Sequence, residues 1–175
     1  APSFIAAGKN LTNDEIIEGV LDGVEQAMER YSIEVGLILI LPRTFPEEAN
    51  RKAFEDFLRY TRSSHACAER LCGFDLADSE TAFHPEAFLT FVEQAREAGL
   101  GITVHSGENT SSEHVIRTVS LFRPDRLGHG IKIWGDPEAL RLVQKREIML
   151  EVCPTSNWLT RSVPSLEAHP LPFLH

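Results

Sequence analysis

Short apolar runs recur along this chain with helix-forming stretches between them, and that alternation is what most restricts its fold. The runs are Val35 to Leu41, Leu71 to Leu76, Gly101 to His105, Arg126 to Gly128 and Ile148 to Cys153. Each has strand length, and the segments between them carry helical signals. Thr12-x-x-Glu15 reads as a capping box ahead of the stripe Ile16, Val20, Val24, Ala27 and Met28. Pro46, Pro85 and Pro137 stand where a first helical residue would. Gly99 stops a helix whose apolar positions are Phe88, Leu89, Val92 and Ala95.

Strands joined through helices are expected to be parallel, with both sheet faces covered, which accounts for the apolar character of Val35 to Leu41. No Gly/Ser-rich or Pro-rich linker divides the 175 residues, so residues 1–175 are read as one α/β domain. Either an open sheet or a barrel satisfies the alternation. Polar residues gather where the strands end: Asp75, His105 with Glu108, His129, and Thr155-Ser156-Asn157. Both architectures place active sites at that edge. No G-x-G-x-x-G or Walker sequence is present, and the converging histidines and carboxylates favour a metal-centred (β/α)8 TIM barrel.

Composition narrows the partners. A formal net charge of −9 argues against nucleic acid, because phosphate binding needs clustered Lys and Arg. The apolar run at Val35 is too short to span a bilayer, so no membrane association is expected. Cys67, Cys72 and Cys153 are odd in number and form no Cys-x-x-Cys pair, which suits a reducing, cytoplasmic setting. A small neutral ligand is the expectation.

His105-Ser106-Gly107-Glu108 places an imidazole at a strand end and a carboxylate three residues on, with Gly107 allowing a tight turn. An imidazole suits zinc, and a carboxylic acid nearby can pass protons. Leu127-Gly128-His129-Gly130 repeats the theme, its glycines letting His129 come close to a ligand. The bland alternatives are a hydrogen-bonding strand-end histidine and a glycine-rich turn. Cys153 is read as a packing residue, and His65, His84, His114, His169 and His175 as solvated or capping groups.

Four segments together resemble the adenosine deaminase family: Gly73-Phe74-Asp75-Leu76-Ala77, Thr103 to Glu108, Arg126 to Gly130, and Glu151-Val152-Cys153-Pro154-Thr155-Ser156-Asn157. They stand in that family's order and approximate spacing, and the similarity extends over essentially all of the chain. The resemblance implies a (β/α)8 barrel, incomplete here, from about the end of strand 2 to the segment after strand 7. It implies one Zn2+ held by three histidines and an aspartate, with His105 as the third histidine ligand. Glu108 would protonate the purine ring and His129 would orient and help activate a zinc-bound hydroxide. The implied reaction is hydrolytic deamination of adenosine or a related aminopurine nucleoside to the oxo purine, with release of ammonia.

The sequence also departs from the family. It contains neither the His-x-His pair of the first strand nor the Thr-Asp-Asp-Pro type motif after the eighth. Ala1-Pro2-Ser3 corresponds to the end of the second strand and His169-Pro170 falls shortly before the eighth. The isolated 175 residues are therefore expected to lack the ligand set for catalysis and to self-associate through open sheet edges. Asp78 stands where the family has a glycine whose N–H contacts the purine, and is a candidate substrate-binding residue. Ser106 replaces an alanine. Asp78 keeps open a different substrate, adenine or an aminofutalosine-type nucleoside, and a non-catalytic barrel fragment is the alternative of another class.

Overall fold

The computed structural model describes residues 2–6, 8–82 and 85–174. His84 and His175 lie outside the described residues, as does Ala1. In chain order the elements are α1 (Pro2–Ala6), α2 (Asn13–Arg30), β1 (Leu37–Pro42), α3 (Glu47–Thr61), β2 (Leu71–Ala77), α4 (Leu89–Glu97), β3 (Gly101–Ser106), α5 (Ser112–Phe122), β4 (Arg126–His129), α6 (Pro137–Lys145), β5 (Met149–Glu151), α7 (Pro154–Leu159) and α8 (Leu171–Leu174). All five expected strands form. They pair in parallel, in the order β1-β2-β3-β4-β5.

That order decides between the two candidate architectures. A doubly wound sheet must reverse direction somewhere, so that helices fall on both faces. Right-handed crossovers in an order that never reverses put every connecting helix on one face, as in a barrel. The exposure pattern agrees. Leu39 and Leu41 are buried and lie in register with Phe74 and Leu76, which in turn lie beside Ile102 and Val104. The alternate positions Ile38 and Ile40 are 41% and 37% exposed, on the face that also carries Asp75, Thr103 and His105. The apolar run at β1 is thus not explained by helices on both sides. Its second face is the barrel's inner face, which other strands rather than helices would cover.

The helices begin and turn where local chemistry dictates. Thr12 and Glu15 form a reciprocal capping box, with Glu15 N–H donating to Thr12 Oγ1 at 3.2 Å and Thr12 N–H to Glu15 Oε2 at 2.7 Å. The buried stripe of α2 differs from the expected one. Ile17, Leu21 and Val24 face the core with Met28 packed against them, whereas Val20 is 42% exposed. Spacings of four, three and four keep that stripe in line at 3.6 residues per turn, and Val20 lies one position off it. Pro137 occupies the first turn of α6 behind an Asp136 cap, while Pro46 precedes α3 as its cap.

Two clusters form the interior. The larger packs α2, α3 and α4 on β1 to β3 around Phe54, which meets Phe74 and Phe91 edge-on at centroid distances of 5.7 and 5.3 Å. Such pairs add about 0.5–1.5 kcal/mol beyond area burial. The second joins α5, α6 and β4 through Val115, Val119, Leu127, Ile133, Ala139 and Val143. Among the described residues no helix is long and apolar enough to cross a membrane.

Candidate active site

The carboxyl ends of the strands bring together residues that are far apart in sequence. β3 ends in His105 and Ser106, and the turn behind it carries Gly107 and Glu108. β4 ends in His129, whose backbone is left-handed with φ 67°. A left-handed conformation is uncommon outside glycine and persists where its surroundings enforce it. Here Gly130 follows in the same region, and its N–H donates to Ser106 O at 3.1 Å, tying the turn to β3.

His105, Glu108 and His129 form one group, as the sequence suggested. The two imidazoles meet edge to face, with centroids 5.0 Å apart. His129 Nε2 lies 3.5 Å from Glu108 Oε2, and His105 Nε2 lies 3.3 Å from Asp75 Oδ2. Burial alone would disfavour the protonated His105 ring. The hydrogen bond and charge of Asp75 outweigh it, so its pKa stands above the ordinary value. Burial lowers that of His129, with His105 acting in the same direction and Glu108 opposing. The field that favours a proton on His105 favours a metal cation in its place.

Glu108 is held in a pocket of donors. Its Oε1 accepts from Asn157 Nδ2 at 3.0 Å and from the Thr160 hydroxyl at 2.9 Å, and Oε2 accepts from Asn109 Nδ2 at 3.3 Å. Asn157 also donates to His129 Nδ1 at 2.9 Å, and its Oδ1 faces His169 Nε2 at 3.1 Å. Asn157 is fully buried and His169 is 4% exposed. His169 is therefore no solvated tail residue, although it does cap α8 by accepting from Leu171 N–H at 3.0 Å.

Two further buried groups shape the site. Glu80 accepts from the backbone N–H of Gly107 at 2.9 Å and of Glu108 at 2.8 Å, and from the Thr110 hydroxyl. Arg43, from the end of β1, donates to His105 O at 2.6 Å and lies in the field of Glu80, Asp75 and Asp78. Neither was singled out from the sequence. Only the position of Glu80, five residues past Asp75 on the loop that follows β2, could have pointed to it.

Asp78 is apart from this group. Its backbone is left-handed at φ 73°, and its Oδ2 accepts from the Thr44 hydroxyl and, at 3.4 Å, from Thr44 N–H. Cys153 is exposed rather than packed, its thiol donating to Glu151 O at 3.6 Å. Thr155 and Ser156 lie on α7, and of that trio only Asn157 enters the network. His114 is half-buried, with Nδ1 at 3.0 Å from Ser106 Oγ, and His65 pairs with Asp22 at 3.3 Å.

The donors fit one corner of a metal site. A strand-end imidazole stands beside Asp75, whose Oδ1 is buried with no hydrogen-bond partner among the described residues. No group of three or more His, Cys, Asp or Glu among the described residues is arranged to hold a metal.

A parallel β/α sheet with helices on one face, and a histidine and carboxylate cluster at its carboxyl edge, defines part of a (β/α)8 barrel with a candidate active site. The adenosine deaminase family model matches residues 1–175, and the chain belongs to the adenosine deaminase family. An adenosine deaminase of Vibrio vulnificus is 35% identical over 163 residues, covering 93% of this chain and 47% of the relative. An adenine deaminase from Arthrobacter aurescens superposes with a TM-score of 0.81 at 24% identity, covering 98% of this chain and 50% of its own. An amidohydrolase from Burkholderia ambifaria, with bound Zn, does so with a TM-score of 0.80 at 23% identity, covering 97% and 47%. The chain spans about half the length of the curated relatives it matches.

Proposed function

We propose that the intact protein hydrolytically deaminates adenosine or a related aminopurine nucleoside, with His105 as a zinc ligand and Glu108 and His129 as catalytic residues. The observation that carries this reading is the approach of His129 Nε2 to Glu108 Oε2 at 3.5 Å beside the His105 ring. It brings a carboxyl group and an imidazole to one point. Bound zinc would supply a hydroxide nucleophile at neutral pH by lowering the pKa of its water. Glu108, protonated, donates to a purine ring nitrogen, making the ring an electron sink as oxygen adds to the amino-bearing carbon. His129 would orient the attacking oxygen through Nε2. As the carbonyl forms, the added hydroxyl gives up its proton to the amino nitrogen, the carbon–nitrogen bond breaks and ammonia leaves; the proton that water lost on becoming hydroxide restores Glu108. Asp75 and the Arg43 contact to His105 O keep the ligand ring in place.

Asp78 favours a second reading of the substrate. Its left-handed backbone and its carboxylate held on Thr44 give the carboxyl end of β2 a side chain and a charge where a glycine would give neither. Adenine or an aminofutalosine-type nucleoside is then the alternative. The free thiols support a cytoplasmic protein.

The test measures zinc content and ammonia release from adenosine, adenine and an aminofutalosine-type nucleoside, for the 175-residue chain and for a polypeptide extended on both sides. About one zinc and ammonia release in the extended protein alone is the expected result. Zinc without deamination of any of the three would overturn the reading in favour of a non-catalytic barrel.

A further inference from the structure

The hydrogen bonds around Asn157 have a direction, and it can be followed from one end to the other. Leu171 N–H donates to His169 Nδ1 at 3.0 Å, so that nitrogen is an acceptor and the proton of the neutral ring is on Nε2. Burial lowers the pKa of His169, which keeps the ring in this neutral form. Nε2–H then donates to Asn157 Oδ1 at 3.1 Å and fixes which end of the amide is oxygen. The two protons of Asn157 Nδ2 serve Glu108 Oε1 at 3.0 Å and His129 Nδ1 at 2.9 Å. A flipped amide would set its oxygen against both of those acceptors and its NH2 against the His169 donor. His129 Nδ1 is thereby an acceptor, and its proton is on Nε2, the atom facing Glu108.

We infer that His169 is a positioning residue, which acts through Asn157 to fix the tautomer of His129 and the orientation of Glu108. Among the described residues His169 makes no hydrogen bond to either of them. Its register is set by a backbone N–H, so the direction of the whole network comes from the main chain at Leu171. Against the carboxylate form of Glu108, before it takes up the proton it passes to the purine, a wrong tautomer would set a lone pair of His129 toward Oε2, where the two acceptors repel. The kinetic part of this inference rests on the catalytic roles proposed above, and the tautomer assignment does not.

The experiment uses the intact protein, with imidazole 15N shifts reporting the His129 tautomer and ammonia release reporting turnover. Wild type is expected to carry the proton on His129 Nε2. His169→Leu is expected to populate the Nδ1–H form and to lower kcat roughly 10- to 100-fold, with KM changing less than about threefold. His169→Gln, whose side-chain amide can replace the Nε2 donor, is expected to restore both. A wild-type proton on Nδ1 overturns the inference whatever the variants do, as does a folded His169→Leu protein with an unchanged tautomer. Should His169→Leu not fold, the wild-type spectrum and the Gln variant decide. A tautomer that responds as described without deamination of any purine upholds the network and overturns the deaminase reading.

Discussion

The ring of His105 lies against the backbone of Gly128, its neighbour across the β3–β4 pair. A Cβ built on Gly128 would fall on His105 Cδ2, with Cγ and Nε2 both at 2.8 Å. Gly128 is required for space rather than for its backbone angle, because its φ is not left-handed. Gly128→Ala is expected to displace the imidazole, costing about 1–3 kcal/mol of stability as overpacking. Turnover is expected to fall by roughly 10²-fold, as for a misplaced reacting group. Thermal unfolding and zinc content of the variant check this, and retained zinc with wild-type turnover would refute it.

Glu80 offers both carboxylate oxygens to the turn that carries Glu108. A glutamine there has one acceptor, so one of the two N–H groups would face an NH2 instead. Glu80→Gln is expected to cost about 1–3 kcal/mol, the scale of a buried donor left unsatisfied. The effect should concentrate at the amides of Gly107 and Glu108, whose hydrogen exchange should rise above that of β3 itself. Unchanged exchange at both amides would mean that the turn holds its shape without Glu80.

Asp56 joins α3 to the first turn of α2, accepting from Asn13 at 2.9 Å and, on its own helix, from Arg59 at 3.0 Å and Lys52 at 3.2 Å. Its burial would raise the carboxyl pKa, but these three donors outweigh it and the folded-state value is lowered. A depressed pKa contributes stability that is full above the unfolded value of about 3.9 and lost as pH falls through the folded one. Asp56→Asn should therefore destabilise at neutral pH, by about 1–3 kcal/mol. The gap from wild type should close below roughly pH 4. Urea unfolding across that range checks the sign, and a gap that widens in acid would contradict it.

Asp78→Gly removes a left-handed non-glycine residue and, with it, the acceptor for Thr44. If the side chain tunes substrate choice, the ratio of kcat/KM for adenosine to that for adenine should rise, with Thr44→Val showing how much is due to the hydrogen bond alone. An unchanged ratio in both variants would remove Asp78 from the specificity argument.

Much of the fold was legible because it depends on one-dimensional signals. Strand-length apolar runs, the Thr12 and Glu15 cap and the stop at Gly99 each act within a few residues, and each formed as expected. What the sequence misjudged was the environment of single side chains. The stripe of α2 differed at Val20 because a small error in helical phase exchanges a buried face for an exposed one. The inner face at Ile38 and Ile40 was read as helix-covered because an apolar strand looks the same in either architecture. His105, Glu108 and His129 could be singled out because they lie at or just past strand ends within two residues of a glycine, and the structure brings the three together. Arg43, Glu80 and His169 were missed because each acts through backbone atoms or another side chain, and such contacts leave no spacing to read.

The strand order β1 to β5 is also the order of synthesis. On the ribosome, each strand can pair with the one just made, with no wait for a distant partner. Asp75 meets His105 early, and His129 joins when β4 docks. Asn157 and His169 come later. Until they emerge, the His129 ring has nothing to select its tautomer and Glu108 lacks its donors, so the site reaches its working form as a late event in biogenesis. Pausing of translation after β5 would leave a nascent sheet whose strands are paired but whose chemistry is not yet set.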